Sequence, residues 1–378
     1  MNLKLFEEDL KFLKKFYKVI VLKDPEEKTM VAVCPELQSK IMTSTFAGLK
    51  GPSLGYMNHD LISSQKINPQ INPVGGEDRF WLGPEGGQFS IFFEPGKTFT
   101  LNNCYTPSAL DREAFEVISV KDTQAVFRKD LRVKNFSNTQ FNLTVERTIK
   151  LTDVAEIEKT LDISIGSDVT SVGFESINTI TNTGLAEWRK STGLLSIWIL
   201  GMFPPTDQTV VLFPYKDLKP SETVSIVNDQ YFGKVPEDRL KVTKDIILFK
   251  ADGKFRSKIG IAAERAKPIM GSYDPQHKIL TVCTFTFNEE NKDYVNSLWQ
   301  IQNDPYHGDI VNSYNDGPTE AGSFGGFYEL ESSSPALALK PDQSFTHTHR
   351  TFHFSGTKTN INGLCKQLFN ISIDEIKL

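Results

Sequence analysis

The sequence predicts an all-β chain, an antiparallel sandwich with a short N-terminal helix and few other helices. Three observations predict it. Strand patterning runs through most of the chain, the intervening segments are built from turn residues, and helical periodicity is clear near the two ends only.

Phe6, Leu10, Leu13 and Tyr17 share one face of an opening helix, taken as a helical extension over residues 1–20. Strands follow at "FEVISV" and "QAVFRK". In "FNLTVERTI", Phe141, Leu143, Val145 and Ile149 alternate with Asn142, Thr144, Glu146 and Thr148, as a sheet with one dry side requires, and Arg147 is the one breach of the apolar side. "GLLSIWILGMF", Gly193 to Phe203, is apolar on both faces and therefore reads as a strand covered on both sides. "TVVLFP", "DIILFK", "KILTVCTFTF", "FYELES" and "SFTHTHRTFHF" complete the strand set, separated by turn chemistry such as "KPSE", "KADGK" and "YDPQ". "NINGLCKQLFN" suits a short helix near the end, and with no low-complexity linker the whole of 1–378 reads as one β domain.

The formal net charge is −5, with no long Lys/Arg block, which excludes a nucleic-acid surface built on clustered cations. No run of about 18 apolar residues and no apolar leader core is present, so the expectation is no membrane partner and a cytoplasmic location, or a periplasmic one if the native start has been trimmed. Cys34, Cys104, Cys283 and Cys365 are far apart and lack CxxC spacing, so they read as buried free thiols. The sequons at Asn135, Asn142 and Asn370 carry little weight without an export signal.

Three segments mix carboxylates, amides and rings near Gly and Pro. The first is "GGEDRFWLGPEGGQFSIFFEPG", which sets Asp78, Arg79 and Glu85 around Trp81. The second is "VNSYNDGP", with Asn312, Tyr314 and Asp316; the third runs from Gly325 to Phe354. On a "FYELES" strand Glu329 and Glu331 point the same way, and in "FTHTHRTFH" so do His347, His349 and His353. Such parts suit sugar handling, because rings pack on the C–H faces of a pyranose while charged and amide groups bond its hydroxyls. The bland readings stand beside this: the glutamates as the wet face of an edge strand, the histidines as a hydrogen-bonded strand face, "NDGP" as a turn, and the glycines as close backbone approaches.

"GGEDRFWLGPEGGQFSIFF", "LLSIWILGMF", "DGKFRSKIGI", "GDIVNSYNDGP" and "YELESSSPALALKPDQSFTHTHRTFHF" together resemble a bacterial family of unknown function grouped with the galactose mutarotase-like, or aldose 1-epimerase-like, proteins. That resemblance implies an antiparallel β-supersandwich with a sugar-binding groove and cofactor-free acid–base chemistry. It implies Glu331 as general base with Glu329 in reserve, and Arg79 as a substrate-binding arginine. The family's mid-chain acid histidine has no counterpart: "INTITNTG" is followed by "LLSIWILGMF", which offers Trp198 instead. His307, His347, His349 and His353 are the histidines near the motifs, with Lys258 or a tyrosine as other donors. Three readings stay open: an aldose 1-epimerase-like enzyme, a non-catalytic sugar-binding protein, and a metal-assisted lyase or isomerase using His347, His349 and Glu331. The expected partner is a carbohydrate, to a monomer or homodimer, with no cofactor and no metal in the favoured readings.

Overall fold

The computed structural model describes residues 3–218, 224–319 and 322–378; the "KPSE" turn lies outside them. Three antiparallel sheets carry the chain. The first contains β1 (Ile20–Lys23), β2 (Met30–Cys34) and β3 (Lys40–Thr45) in that order. The second is five-stranded, built from β4 (Arg79–Gly83), β9 (Ser196–Phe203), β13 (Ser257–Ala262), β16 (Asp309–Asn315) and β17 (Tyr328–Ser333), in the order β13-β16-β17-β9-β4. The third is ten-stranded. Its members are β5 (Glu116–Lys121), β6 (Gln124–Lys134), β7 (Gln140–Thr152), β8 (Thr170–Asn182), β10 (Val210–Pro214), β11 (Leu240–Val242), β12 (Ile246–Lys250), β14 (Ile269–Asp274), β15 (Ile279–Phe285) and β18 (Ser344–Ser355). They run in the order β11-β12-β10-β14-β15-β18-β8-β7-β6-β5.

Hydrophobic patterning explains how the sheets stack. Phe80, Leu82, Ile197 and Ile199 from the five-stranded sheet share one apolar cluster with Phe127, Phe141, Val145 and Phe174 of the ten-stranded sheet. Ile259, Val311 and Leu330 meet Val211, Phe249, Met270 and Cys283 in the same layer. Alternate residues of β10, β12 and β18, among them Leu212, Leu248 and Phe354, point to the outer face and pack against Ile157, Ile361, Leu364 and Phe369. Those four come from the helices Val154–Leu161 and Lys358–Phe369, so "TVVLFP" and "DIILFK" are apolar on both sides because both sides are covered.

The opening helix covers Phe6–Leu13, shorter than the expected extension to residue 20. Phe6, Leu10 and Leu13 bury against Met30, Ala32, Met42 and Ile62, whereas the β-branched run from Val19 onward pairs with β2 instead of continuing the helix. No helix among the described residues is long and apolar enough to cross a membrane.

A polar seam runs through the layer between the two large sheets. Arg147, the breach in "FNLTVERTI", is fully buried and donates to Asp78 Oδ1 at 2.7 Å and to Asn178 Oδ1 at 2.9 Å. Ser176 Oγ completes Asp78 at 2.6 Å. His353 Nε2 lies 2.8 Å from Glu77 and its Nδ1 2.9 Å from Thr281 Oγ1. Ser332 Oγ sits between His347 Nε2 at 2.9 Å and His349 Nδ1 at 2.8 Å.

Removing one partner of the Arg147–Asp78 pair leaves a buried charge without compensation. Asp78→Ala is expected to cost about 3–5 kcal/mol in urea unfolding, while Asp78→Leu combined with Arg147→Met costs markedly less than the two single changes summed. Additive costs would show that the pair contributes nothing as a pair.

Candidate functional site

The outer face of the five-stranded sheet carries the site, and strand register fixes who stands beside whom. Asn312 pairs with Glu331, Glu331 with Leu200, and Leu200 with Arg79, forming one row across four strands. Trp198 pairs with Trp81 in the next row, and Lys258 with Tyr314 on the other flank. The period of two along each strand then puts Glu329 and Glu331, Arg79 and Trp81, and Trp198 and Leu200 on this same face.

β17 lies at the centre of the sheet, so its carboxylates are nowhere near an edge. Glu331 is fully buried; its Oε2 accepts from Lys258 Nζ and from Trp198 Nε1, each at 2.9 Å. Glu329 is ion-paired with Arg79, whose side chain reaches over β9 to meet it. Lys258 reaches over β16 in the mirror sense. Each cation also lies on a ring: Arg79 Cζ is 5.2 Å from the Trp81 centroid and Lys258 Nζ is 4.8 Å from that of Trp198.

A cavity open to solvent lies over this floor. Arg79, Lys258 and Glu329 line it from the strands, and Trp81, Phe92, Trp198, Phe232, Trp299, Tyr314, Phe324 and Phe327 supply rings. Glu85, Arg256, Cys104 and Thr106 complete the charged and polar lining. The glycines of the opening motif do make close approaches, as the bland reading held, and those approaches help build the cavity. A Cβ on Gly86 would stand 2.4 Å from the Leu298 carbonyl oxygen, so glycine is what lets the segment bearing Trp299 close against Glu85.

Burial pushes Glu329 up to about 8, although Arg79 pulls it the other way and Glu331 adds to the rise. Burial raises Glu85 as well, against the pull of Lys258. Burial pulls Lys258 down, but Glu331, Glu85 and Glu329 together outweigh it and leave its affinity for the proton raised. Buried polar atoms without a hydrogen-bond partner cluster beneath the cavity: Arg79 Nε, Trp81 Nε1 and Glu331 Oε1.

The sequence candidates divide cleanly. Arg79, Trp81, Glu85, Lys258, Tyr314 and Glu329 converge on the cavity. Glu331 lies beneath it, so Glu329 is the glutamate of that pair that lines the open space. Asp316 acts one step back: its Oδ1 accepts from Tyr314 at 2.9 Å, and its Oδ2 from the Gly325 and Gly326 amides at 3.0 and 2.9 Å, which holds the rim loop bearing Phe324. Asn312 lines a small adjoining pocket with Tyr231, Asp309 and Lys258. Its amide donates to Tyr231 at 3.1 Å.

Asp78, His347 and His349 do not join them. All three point into the layer between the sheets, because they occupy strand positions of the opposite parity to the cavity face or lie on the partner sheet. Burial pushes His347 down to about 3 and His349 down to about 4, so both are neutral near pH 7. The His347, His349 and Glu331 set considered for a metal is split by β17 itself, with Ser332 on the histidine side. Among the described residues no group of three or more His, Cys, Asp or Glu could hold a metal ion. The four cysteines are free, as expected, but Cys104 is only partly buried, at the cavity wall.

Sequence reasoning missed Arg256, Phe232 and Trp299. Arg256 had a readable signal, since it stands two residues before Lys258 in "DGKFRSKIGI" and thus shares its face. Phe232 and Trp299 come from loops with no periodicity to read.

A model described as Family of unknown function (DUF6786) matches residues 4–378. No curated protein matches the chain. Among solved structures, the Slr1438 protein from Synechocystis sp. PCC 6803 is similar at 12% identity and TM-score 0.51, over 90% of this chain and 96% of that one. A candidate aldose 1-epimerase from Escherichia coli K12 is similar at 10% identity and TM-score 0.51, over 90% and 99%. A galactose mutarotase-like protein from Lactobacillus casei ATCC 334 aligns at 11% identity and TM-score 0.48, over 89% and 100%. The chain therefore shares the antiparallel β-sandwich fold of the first two of these structures, and identities this low speak for the fold alone.

Because burial raises Glu329 in the folded chain to about 8 from its ordinary 4.5, its contribution to stability is full below about pH 4.5 and is lost as pH rises through about 8. Unfolding midpoints of wild type and Glu329→Gln should therefore diverge between pH 5 and pH 9, the wild type losing more. Parallel curves would contradict the raised value.

Proposed function

The chain belongs to the family of unknown function DUF6786, and we propose that the cavity on its five-stranded sheet binds a carbohydrate. One observation carries the reading: the rings of Trp81, Phe232, Trp299, Phe324 and Phe327 surround a floor that presents the paired Arg79 and Glu329. Rings offer flat apolar surface to the C–H faces of a sugar, while the guanidinium and carboxylate bond its hydroxyls. The ion pair does not suit a purely apolar ligand, for which it is a desolvation cost.

Proton transfer at an anomeric carbon is the second reading, and the position of Glu329 favours it. A carboxyl group with its proton affinity raised to about 8 is matched to exchange near neutral pH. In this scheme ionised Glu329 takes the anomeric hydroxyl proton and the C1–O bond of the ring breaks. The ring oxygen receives a proton from Lys258, which Glu331 holds in its charged form. Rotation about C1–C2 and reversal of the same transfers give the other anomer and return both groups to their starting state. The role expected of Glu331 thus passes to Glu329, and Glu331 becomes a positioning residue for Lys258.

Calorimetric titration with a panel of monosaccharides and short oligosaccharides tests the first reading. At least one should bind saturably, and Trp299→Ala should weaken it by about tenfold. Absence of binding by every sugar would overturn the proposal. For the second reading, polarimetry on freshly dissolved single anomers should show acceleration that grows as pH rises through about 8. Glu329→Gln should lower kcat by about 10²-fold or more with KM largely kept. Binding without any acceleration would leave the protein a binder.

A further inference from the structure

Three cations line the cavity, and two of them are spoken for. Arg79 is paired with Glu329 and Lys258 with Glu331, whereas Arg256 has no ion-pair partner among the described residues. It is only partly buried, its Cζ stands 3.9 Å from the Phe232 centroid, and its Nε is buried with no hydrogen-bond partner. Stacking on a ring fixes the guanidinium plane and leaves its forked edge for an incoming group. The Tyr314 hydroxyl flanks it, itself held by Asp316.

The remaining cavity carboxylate is Glu85. Glu85 has no ion-pair partner among the described residues, and burial raises it, with Lys258, Trp299 and Arg256 opposing. Arg and carboxylate or phosphate groups form planar, two-pronged, charge-assisted pairs.

We propose that the carbohydrate bound here carries an anionic substituent, a carboxylate or a phosphate ester, received by Arg256 beside Tyr314 and Phe232. This rests on the reading of the cavity as a sugar site, and it names the class of sugar.

Calorimetry on the full chain, at low and at moderate salt, would compare glucuronate and galacturonate with glucose and galactose, and the hexose 6-phosphates with the same neutral parents. One acidic form should bind at least about tenfold more tightly than its parent, and the two acidic arms distinguish carboxylate from phosphate. In Arg256→Gln that preference should fall to about one. Arg256→Lys, which keeps the charge but not the fork, should recover part of it. Should Arg256→Gln prove unfolded by its unfolding midpoint, the Arg256→Lys comparison decides, since a preference left fully intact there contradicts the forked pair. Neutral sugars binding as tightly as acidic ones, or both weakening equally in Arg256→Gln, would overturn this inference and leave the sugar site standing. Failure of every sugar, acidic or neutral, would overturn the sugar site as well.

Discussion

Two glutamates on the central strand of a buried sheet set the terms for this molecule. Carboxylates there must be neutralised or paired, because desolvation of a lone charge costs several kcal/mol. The fold answers from both flanks: Arg79 comes inward from β4 and Lys258 from β13, each crossing one intervening strand to reach β17. Short side chains could not span that gap of roughly two strand spacings, about 10 Å. The long stems then need apolar cover, and Trp81 and Trp198 provide it as ring faces. Aromatic walls and a charged floor are therefore one solution to one electrostatic problem.

The two pairs are not equivalent. Glu331 is enclosed, shared between Lys258 and Trp198, and oriented to hold the lysine charged. Glu329 faces the open space with its proton affinity raised by burial. Two carboxyl groups two residues apart are thus set in different environments, the one beneath the cavity against Lys258 and the other facing the open space. Asp316 and the glycines of the opening motif act at longer range, fixing the rim that carries Phe324 and the segment that carries Trp299.

Much of this was legible in the sequence because it obeys the period of two. "FYELES", "EDRFW" and "GLLSIWILGMF" put Glu329, Arg79 and Trp198 on defined faces, and the structure keeps them there. Alternation states which residues share a face, but not which of two covered layers that face meets. That is why the row His347, His349 and His353 was readable as a row yet lies between the sheets, and why Asp78 turns away from Arg79, its chain neighbour, to neutralise Arg147. β2 and β3 gave only short, fully covered runs, and the loops bearing Phe232 and Trp299 have no pattern that links them to a site over the five-stranded sheet. Those parts are set by tertiary closure, which no local window contains.

The four tryptophans offer a direct reading of where a ligand sits. Trp81, Trp198 and Trp299 line the cavity, whereas Trp188 packs edge-on against Phe141, 5.3 Å between centroids, in the layer between the sheets. Indole N–H resonances of the ¹⁵N-labelled protein, followed while acidic and neutral sugars are added, would separate them. The account predicts saturable shifts of the Trp81 and Trp299 signals with the Trp188 signal still. Saturation that moves Trp188 alone, or no movement of any indole with any sugar, would contradict it.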